Sequence, residues 1–146
     1  MICMKCRSPQ SEVVNTRSTR GGSQIWRRRR CANCGKVTTT YERLDLSFIQ
    51  VASDSQTLPY SRSFLFASLL RAVPEGTLEV SQIDNLVDTL EQKILARGED
   101  TVSTEVIRHL SLETLKPISM NAFMNYLAAH LQMQNKSDLK AALKGY

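Results

Sequence analysis

The sequence has no long apolar run. Its uninterrupted apolar stretches are far shorter than the roughly 18 residues that a membrane-spanning helix requires. Residues 1–6 also lack the apolar stretch and the small-residue cleavage site of a secretory signal. We therefore expect a cytoplasmic protein without a membrane partner.

Familiar catalytic and phosphate-binding motifs are missing as well. The chain has no G-x-x-x-x-G-K-[ST] loop and no G-x-G-x-x-G after a strand. Neither His109 nor His130 has a cysteine, a serine or a carboxylate pair at catalytic spacing. We expect ordinary packing or surface roles for both histidines, and a protein that is not an enzyme.

Charge is distributed very unevenly along the chain. Residues 1–46 contain ten lysines and arginines against three carboxylates, whereas the remaining hundred contain nine basic and eleven acidic residues. The net charge of +5 therefore resides almost entirely at the N-terminal end. This asymmetry predicts that the first segment binds a polyanion.

All four cysteines lie in that basic segment, as two C-x-x-C pairs separated by 24 residues: Cys3 with Cys6, and Cys31 with Cys34. Two residues between thiolates let both sulfurs reach one ion at about 2.3 Å, and two such pairs complete the tetrahedron that zinc prefers. The segment is poor in core aliphatics, so a bound metal must supply folding free energy. Four thiolates leave no open coordination position, which predicts a structural Zn²⁺.

The cysteines allow two other interpretations. A redox enzyme of the C-x-x-C type uses one pair beside a βαβ pattern, and no such pattern is present. Four cysteines also hold iron in rubredoxin-like sites, so the sequence by itself leaves iron open. We predict one zinc ion.

The segment between the cysteine pairs predicts strands over residues 12–17 and 23–28, joined by a turn at Gly21-Gly22, with a third strand over residues 38–42. Four consecutive arginines occupy the second strand, and alternation divides them between the two faces of a sheet. Arginines of the neighbouring strand add to one face, and each guanidinium can contact phosphate. The predicted DNA-binding residues are Arg17, Arg20, Arg27, Arg28, Arg29 and Arg30.

Double-stranded DNA is the partner that we expect for this basic surface. RNA-binding modules usually display aromatic side chains for stacking, and the segment offers only Trp26 and Tyr41. Trp26 also suits the small core of the ribbon. The simplest alternative is a solvated basic face, or one that docks on the acidic half of the chain.

After residue 46 the hydrophobic period changes from two to about 3.6. The pattern predicts a small hairpin from residues 48–51 and 58–60, and then four helices. The second helix is expected to begin with a capping box of Ser81 and Asp84, and the third at Ser103 or Thr104. The fourth is expected over residues 120–134. The residues expected to mark the first two helices are Phe64, Leu65, Leu69, Leu70 and Val73, then Ile83, Leu86, Val87, Leu90 and Ile94.

These patterns together predict an α+β protein. A small β zinc ribbon occupies residues 1–46, a mostly α-helical domain follows over residues 47–134, and residues 135–146 form a C-terminal tail.

Residues 1–46 resemble the NrdR family of bacterial transcriptional repressors. The resemblance rests on the cysteine pairs, the Val13–Arg17 strand, the arginine run and the segment through Glu42. That resemblance implies a zinc ribbon joined to an ATP-cone, a small helical domain that binds ATP or dATP. It further implies oligomerisation controlled by nucleotide and repression of ribonucleotide reductase genes.

The second half departs from the ATP-cone pattern. Pro59-Tyr60-Ser61-Arg62 matches, but Phe64 stands where a phosphate-binding lysine is expected, and Gln50-Val51-Ala52 replaces basic residues. Each lost charge-assisted contact costs about 1.5–3 kcal/mol, so we expect a degenerate ATP-cone that is retained for oligomerisation. If it does bind ATP or dATP, the candidate residues by position are Ile49, Gln50, Arg62 and Arg71.

An alternative function is a zinc-ribbon adaptor that binds nucleic acid and a protein partner without sensing nucleotide. Self-association separates the two hypotheses. A repressor needs several ribbons to span paired operator boxes, whereas an adaptor can act as a monomer.

Overall fold

The computed structural model describes residues 1–130 and divides the chain into two compact units, one of residues 1–45 and one that begins at Leu46. The predicted C-terminal tail and the expected last turn of the fourth helix, including Leu131, lie outside the described residues. Within residues 1–130, no helix is both long and apolar enough to cross a membrane.

The first unit is a three-stranded antiparallel sheet in the order β1-β2-β3. Its strands are β1 (Ser11–Thr19), β2 (Gln24–Cys31) and β3 (Val37–Arg43). A short 3-10 turn, Arg20–Gly22, joins the first two strands, and both of its glycines have positive φ. The three predicted strands and the glycine turn are therefore confirmed, with each strand longer than its pattern indicated.

The second unit contains a small sheet in the order β5-β4-β6. Strands β4 (Gln50–Ala52) and β5 (Thr57–Pro59) form the predicted antiparallel hairpin. Strand β6 (Thr101–Ser103) was not predicted, and it pairs in parallel with β4. Three residues are too few to show a periodicity of two, so only the tertiary structure reveals this strand.

Four helices complete the described part of the second unit: α1 (Arg62–Ala72), α2 (Val80–Leu95), α3 (Thr104–Leu115) and α4 (Met120–His130). The predicted capping box of Ser81 and Asp84 was wrong. Glu79 is the N-cap of α2, and its N–H donates to Gln82 Oε1 at 2.8 Å. Glu79 and Gln82 have the same three-residue spacing and carry the side-chain acceptors that the motif needs, so the helix begins earlier.

Ser103 caps α3 as expected, because its Oγ accepts a hydrogen bond from the Val106 N–H.

The core of the second unit lies between the helices. The predicted stripe of α2 is confirmed, since all five of its apolar residues are buried: Ile83, Leu86, Val87, Leu90 and Ile94. In α1 only part of the expected apolar set is buried, namely Leu65 and Leu69, together with Ala72. Phe64 is 75% exposed and lines a pocket in this unit.

Candidate metal centre, basic face and nucleotide pocket

The two cysteine pairs meet at one end of the ribbon. The Cys3 and Cys34 sulfurs are 3.6 Å apart, those of Cys6 and Cys31 are 3.5 Å apart, and all four lie within 4.8 Å of one another. A tetrahedron with bonds of about 2.3 Å has edges of about 3.8 Å. No disulfide joins these residues. The sulfurs are therefore arranged to hold one tetrahedral ion.

Each pair lies in the same kind of turn. The N–H of Arg7 donates to the Cys3 carbonyl at 2.9 Å, and the N–H of Gly35 donates to the Cys31 carbonyl at 3.0 Å. The residue after each pair has a left-handed backbone, with φ of 61° at Arg7 and 68° at Gly35. Glycine adopts this backbone without a steric cost at position 35, whereas its counterpart in the first turn, Arg7, carries a side chain.

The surroundings of the sulfurs shift the pKa values of the thiols in opposite directions. The backbone N–H groups of Cys6 and Lys5 lower the pKa of Cys3 to about 6, so this thiol ionises near neutral pH. At Cys34 the Lys36 N–H acts in the same direction, but burial and the three other thiols outweigh it and raise the pKa to about 11. Four thiolates this close repel one another, and a dication removes that repulsion.

The left-handed backbone of Arg7 leads to a prediction. A left-handed backbone costs a residue with a Cβ about 1–2 kcal/mol. Glycine avoids this cost, but its greater conformational freedom in the unfolded chain offsets part of the gain in stability. We expect Arg7→Gly to stabilise the zinc-loaded ribbon by about 0.5 kcal/mol in chelator-dependent unfolding. Arg7→Ala removes the same charge but keeps Cβ, and it should give no stabilisation. If the two variants changed the stability of the ribbon equally, the backbone of Arg7 would not be strained.

The arginines of β2 are divided between the two faces of the sheet. Arg28 and Arg30 are exposed, whereas Arg27 and Arg29 are partly buried on the opposite face. On that opposite face Glu42 pairs with Arg27 at 3.1 Å and with Arg29 at 3.8 Å. Within the described residues, no hydrogen bond or ion pair involves the side chains of Arg28 and Arg30.

A β-bulge aligns β1 with the exposed face. Val13 lies opposite Arg29 and Asn15 lies opposite Arg28, so Val14 is the additional residue. Arg17 lies opposite Trp26, and period-two alternation places Arg17 on the same face as Arg28 and Arg30. We call the surface formed by Asn15, Arg17, Trp26, Arg28, Arg30, Thr39 and Tyr41 the basic face.

Two aromatic side chains belong to the basic face. The Arg17 guanidinium lies 5.6 Å from the centre of the half-buried Trp26 ring, which fits a cation–π contact. Tyr41, opposite Trp26 on β3, is exposed. Arg20 is separate from this face, because it lies in the 3-10 turn with a left-handed backbone, and its carbonyl accepts from Ser23.

The second unit has a pocket of about 560 Å³ formed by the β4–β5 hairpin, α1, α3 and α4. Aromatic and apolar side chains form much of its wall: Leu58, Tyr60, Phe64, Leu65, Ile107 and Tyr126. Tyr126 stacks near His130, with ring centroids 4.2 Å apart, and Ser68 Oγ lies 2.9 Å from His130 Nε2. Burial lowers the pKa of His130, an effect to which Arg108 and Arg71 add, so this histidine is neutral at pH 7.

The pocket carries little positive charge for a nucleotide site. Among its described lining residues the only arginine or lysine is Arg108, whose guanidinium lies 3.8 Å from Glu105. Asp54 also lines the pocket. The two carboxylates outnumber the one guanidinium, so the described pocket wall has a net negative charge, which disfavours binding of a triphosphate.

None of the four residues predicted to bind nucleotide lines this pocket. Ile49 is 2% exposed and belongs to the core, and Gln50 lies in β4. Arg71 is exposed and donates to the Ala67 carbonyl. Arg62 lies at the start of α1 and pairs with three carboxylates of α2: Asp84, Asp88 and Glu91.

Sequence reasoning missed several of the pocket residues. Phe64 and Ser68, and likewise Tyr126 and His130, are four residues apart on their helices and therefore share a helix face. That spacing was a visible signal, but only the packing of α1 against α4 brings the two pairs to one pocket.

Together, the two units define a regulatory protein in which a four-cysteine zinc ribbon precedes an ATP-cone. The family model described as "Transcriptional repressor NrdR-like, N-terminal domain" matches residues 1–42, and the ATP cone domain model matches residues 51–139. Neither of these models describes a catalytic domain.

Curated relatives agree with this classification over nearly the full chain. A protein named Transcriptional repressor NrdR from Streptococcus suis (strain 05ZYH33) is 30% identical over 145 residues, which cover 99% of this chain and 89% of the relative. A protein of the same name from Paracidovorax citrulli is 31% identical over 142 residues, which cover 97% and 95%. The chain belongs to the NrdR family of transcriptional repressors.

Proposed function

We propose that this protein is a zinc-dependent repressor that binds double-stranded DNA through its basic face, acts in the cytoplasm and has no enzymatic activity. The observation that carries the proposal is the basic face itself, where Arg17, Arg28 and Arg30 are exposed together. The NrdR family assignment supports ribonucleotide reductase genes as the targets.

Zinc has a structural role in this proposal. Four cysteine sulfurs complete a tetrahedral shell and leave no position for a substrate or a reactive water. The matched zinc-ribbon model favours zinc over the iron that four cysteines could also hold. The ion holds the ends of β1, β2 and β3 in place, and thereby holds the arginines.

The face assignment makes a testable distinction among the arginines. Arg17→Gln with Arg30→Gln should lower the slope of log K against log salt by about 2, because two phosphate contacts are lost. Affinity for duplex DNA should fall at least about tenfold. Fluorescence anisotropy over a salt series measures both quantities.

The matched control is Arg27→Gln with Arg29→Gln, which removes the same charge from the face where Glu42 lies. Its salt slope should stay close to that of the wild type, with zinc content and circular dichroism as checks of folding. Equal losses in the two double variants would show that total charge, and not the basic face, determines DNA binding.

The repressor hypothesis also requires self-association. One ribbon covers a single short box, so paired boxes need at least two chains. Sedimentation of the zinc-loaded full chain should therefore show dimers or larger species at micromolar concentration. A strict monomer would favour the adaptor alternative, in which the second unit binds another protein.

We predict weak binding of ATP and dATP. The described pocket wall is net negative, Phe64 stands where the family pattern has a lysine, and Arg62 is engaged by three carboxylates. Calorimetry should give dissociation constants no tighter than about 100 μM, because each missing charged contact costs about 1.5–3 kcal/mol. Micromolar binding would contradict the idea of a degenerate ATP-cone. Ile49, Gln50, Arg62 and Arg71 would then be the first positions to substitute.

A further inference from the structure

The central row of the basic face contains side chains suited to reading bases. Asn15, Arg28 and Thr39 lie directly opposite one another across β1, β2 and β3. All three are exposed. In the major groove, asparagine can make bidentate hydrogen bonds with adenine, and arginine can make them with guanine.

The side chain of Asn15 is available for such a contact. Within the described residues its amide makes no hydrogen bond, so both its oxygen and its nitrogen can face a ligand. The bulge at Val14 is what places Asn15 opposite Arg28. Bulges commonly re-aim a side chain at a functional surface.

Cations lie on both sides of this row. Arg30 lies one same-face position along β2 from Arg28, and Arg17 lies one same-face position along β1 from Asn15, in the opposite direction. Same-face positions along a strand are about 7 Å apart, and neighbouring strands are about 4.8 Å apart. The major groove, about 12 Å wide, admits a two-stranded ribbon such as β1 with β2.

From this arrangement we infer that Asn15 reads an adenine and that Arg28 reads a guanine in a neighbouring base pair. Arg17 and Arg30 contact the flanking phosphates, which position the ribbon but carry no sequence information. The inference rests on the proposed DNA binding and adds the identity of the residues that specify sequence.

This assignment can be tested without knowing the operator sequence. The zinc-loaded full chain is used to select the duplexes that it prefers from a randomised library. The wild type should enrich adjacent A·T and G·C pairs. Asn15→Ala should lower the preference for adenine about tenfold at that one position and leave the guanine preference intact. Asn15→Asp should shift the preference at the same position toward cytosine, because a carboxylate accepts from the cytosine amino group.

Two further variants complete the design. Arg28→Gln should lose the guanine preference, whereas Thr16→Ala, which changes the opposite face beside Asn15, should leave the selected sequence unchanged. An unchanged sequence from Asn15→Ala would overturn the assignment. Duplex binding by the wild type without any enriched sequence would overturn base reading but leave DNA binding intact. No duplex binding at all would overturn both.

Discussion

Cys34→Ser is expected to unfold the ribbon and to abolish DNA binding. Within residues 1–45, all of which the structure describes, the buried hydrophobic side chains are Cys3 and Cys31. These are metal ligands, so the ribbon has almost no core apart from the metal centre. Zinc supplies about 10–16 kcal/mol to modules of this kind. Loss of one thiolate should therefore cost more free energy than a sheet of this size can supply.

Three measurements test the effect of Cys34→Ser: the strand signals of residues 11–43 in NMR spectra, the zinc content and the affinity for duplex DNA. We expect the affinity to fall at least about a hundredfold, to the level of an unfolded basic segment. Ala32→Ser is the matched control, because Ala32 is exposed in the same turn and only its backbone is used, in a hydrogen bond to the Gln10 carbonyl. A Cys34→Ser variant that keeps both the sheet and its DNA affinity would contradict a structural role for zinc.

Arg62→Ala is expected to lower the free energy of unfolding of the second unit by about 3 kcal/mol. The guanidinium joins the start of α1 to Asp84, Asp88 and Glu91 on one face of α2. The side chains of Asp88 and Glu91 are 7% and 15% exposed, so removal of Arg62 leaves two poorly hydrated carboxylates close together. Tyr60 Oη also donates to Glu91 at 3.0 Å, and this bond alone cannot balance the charge.

Denaturant unfolding followed by far-ultraviolet circular dichroism measures the loss. Arg71→Ala is the matched control on the same helix, since Arg71 is exposed and, among residues 1–130, its side chain donates only to the Ala67 carbonyl of its own helix. Its effect should stay within about 0.5 kcal/mol. Arg62→Lys should be intermediate, because an ammonium group cannot reach three carboxylates with fork geometry. A negligible effect of Arg62→Ala would favour a role for Arg62 in ligand binding.

The zinc site was the part of the molecule most readily predicted from sequence, because two C-x-x-C pairs encode ligand type, number and local geometry together. The strands of the ribbon and the buried stripe of α2 were also visible, since each has a clear periodicity. Fold class and family followed from these elements.

The arrangement of the arginines could be predicted only in part. Alternation showed that the arginine run must be divided between two faces, but it did not show which half shares a face with Arg17. That depends on the bulge at Val14, for which the sequence has no specific signal such as a glycine. The ion pairs of Glu42 with Arg27 and Arg29 likewise depend on the register of β2 against β3.

The pocket was the least predictable part. Its wall combines the hairpin with α1, α3 and α4, so its composition depends on helix packing and not on local pattern. Arg62 illustrates the difficulty. Its position made it a candidate nucleotide-binding residue, yet the spacing of Asp84, Asp88 and Glu91 on α2 places three carboxylates around it. Those carboxylates are four and three residues apart, which is the spacing of one helix face.

The central claim is that this protein represses ribonucleotide reductase genes. The most direct test measures how the zinc-loaded full chain binds DNA from upstream of those genes in its source organism. The comparison is with random duplex of equal length at about physiological salt. A sequence-specific repressor should prefer the upstream DNA at least about a thousandfold. Equal affinity for the two DNAs would contradict repression of these genes by this protein.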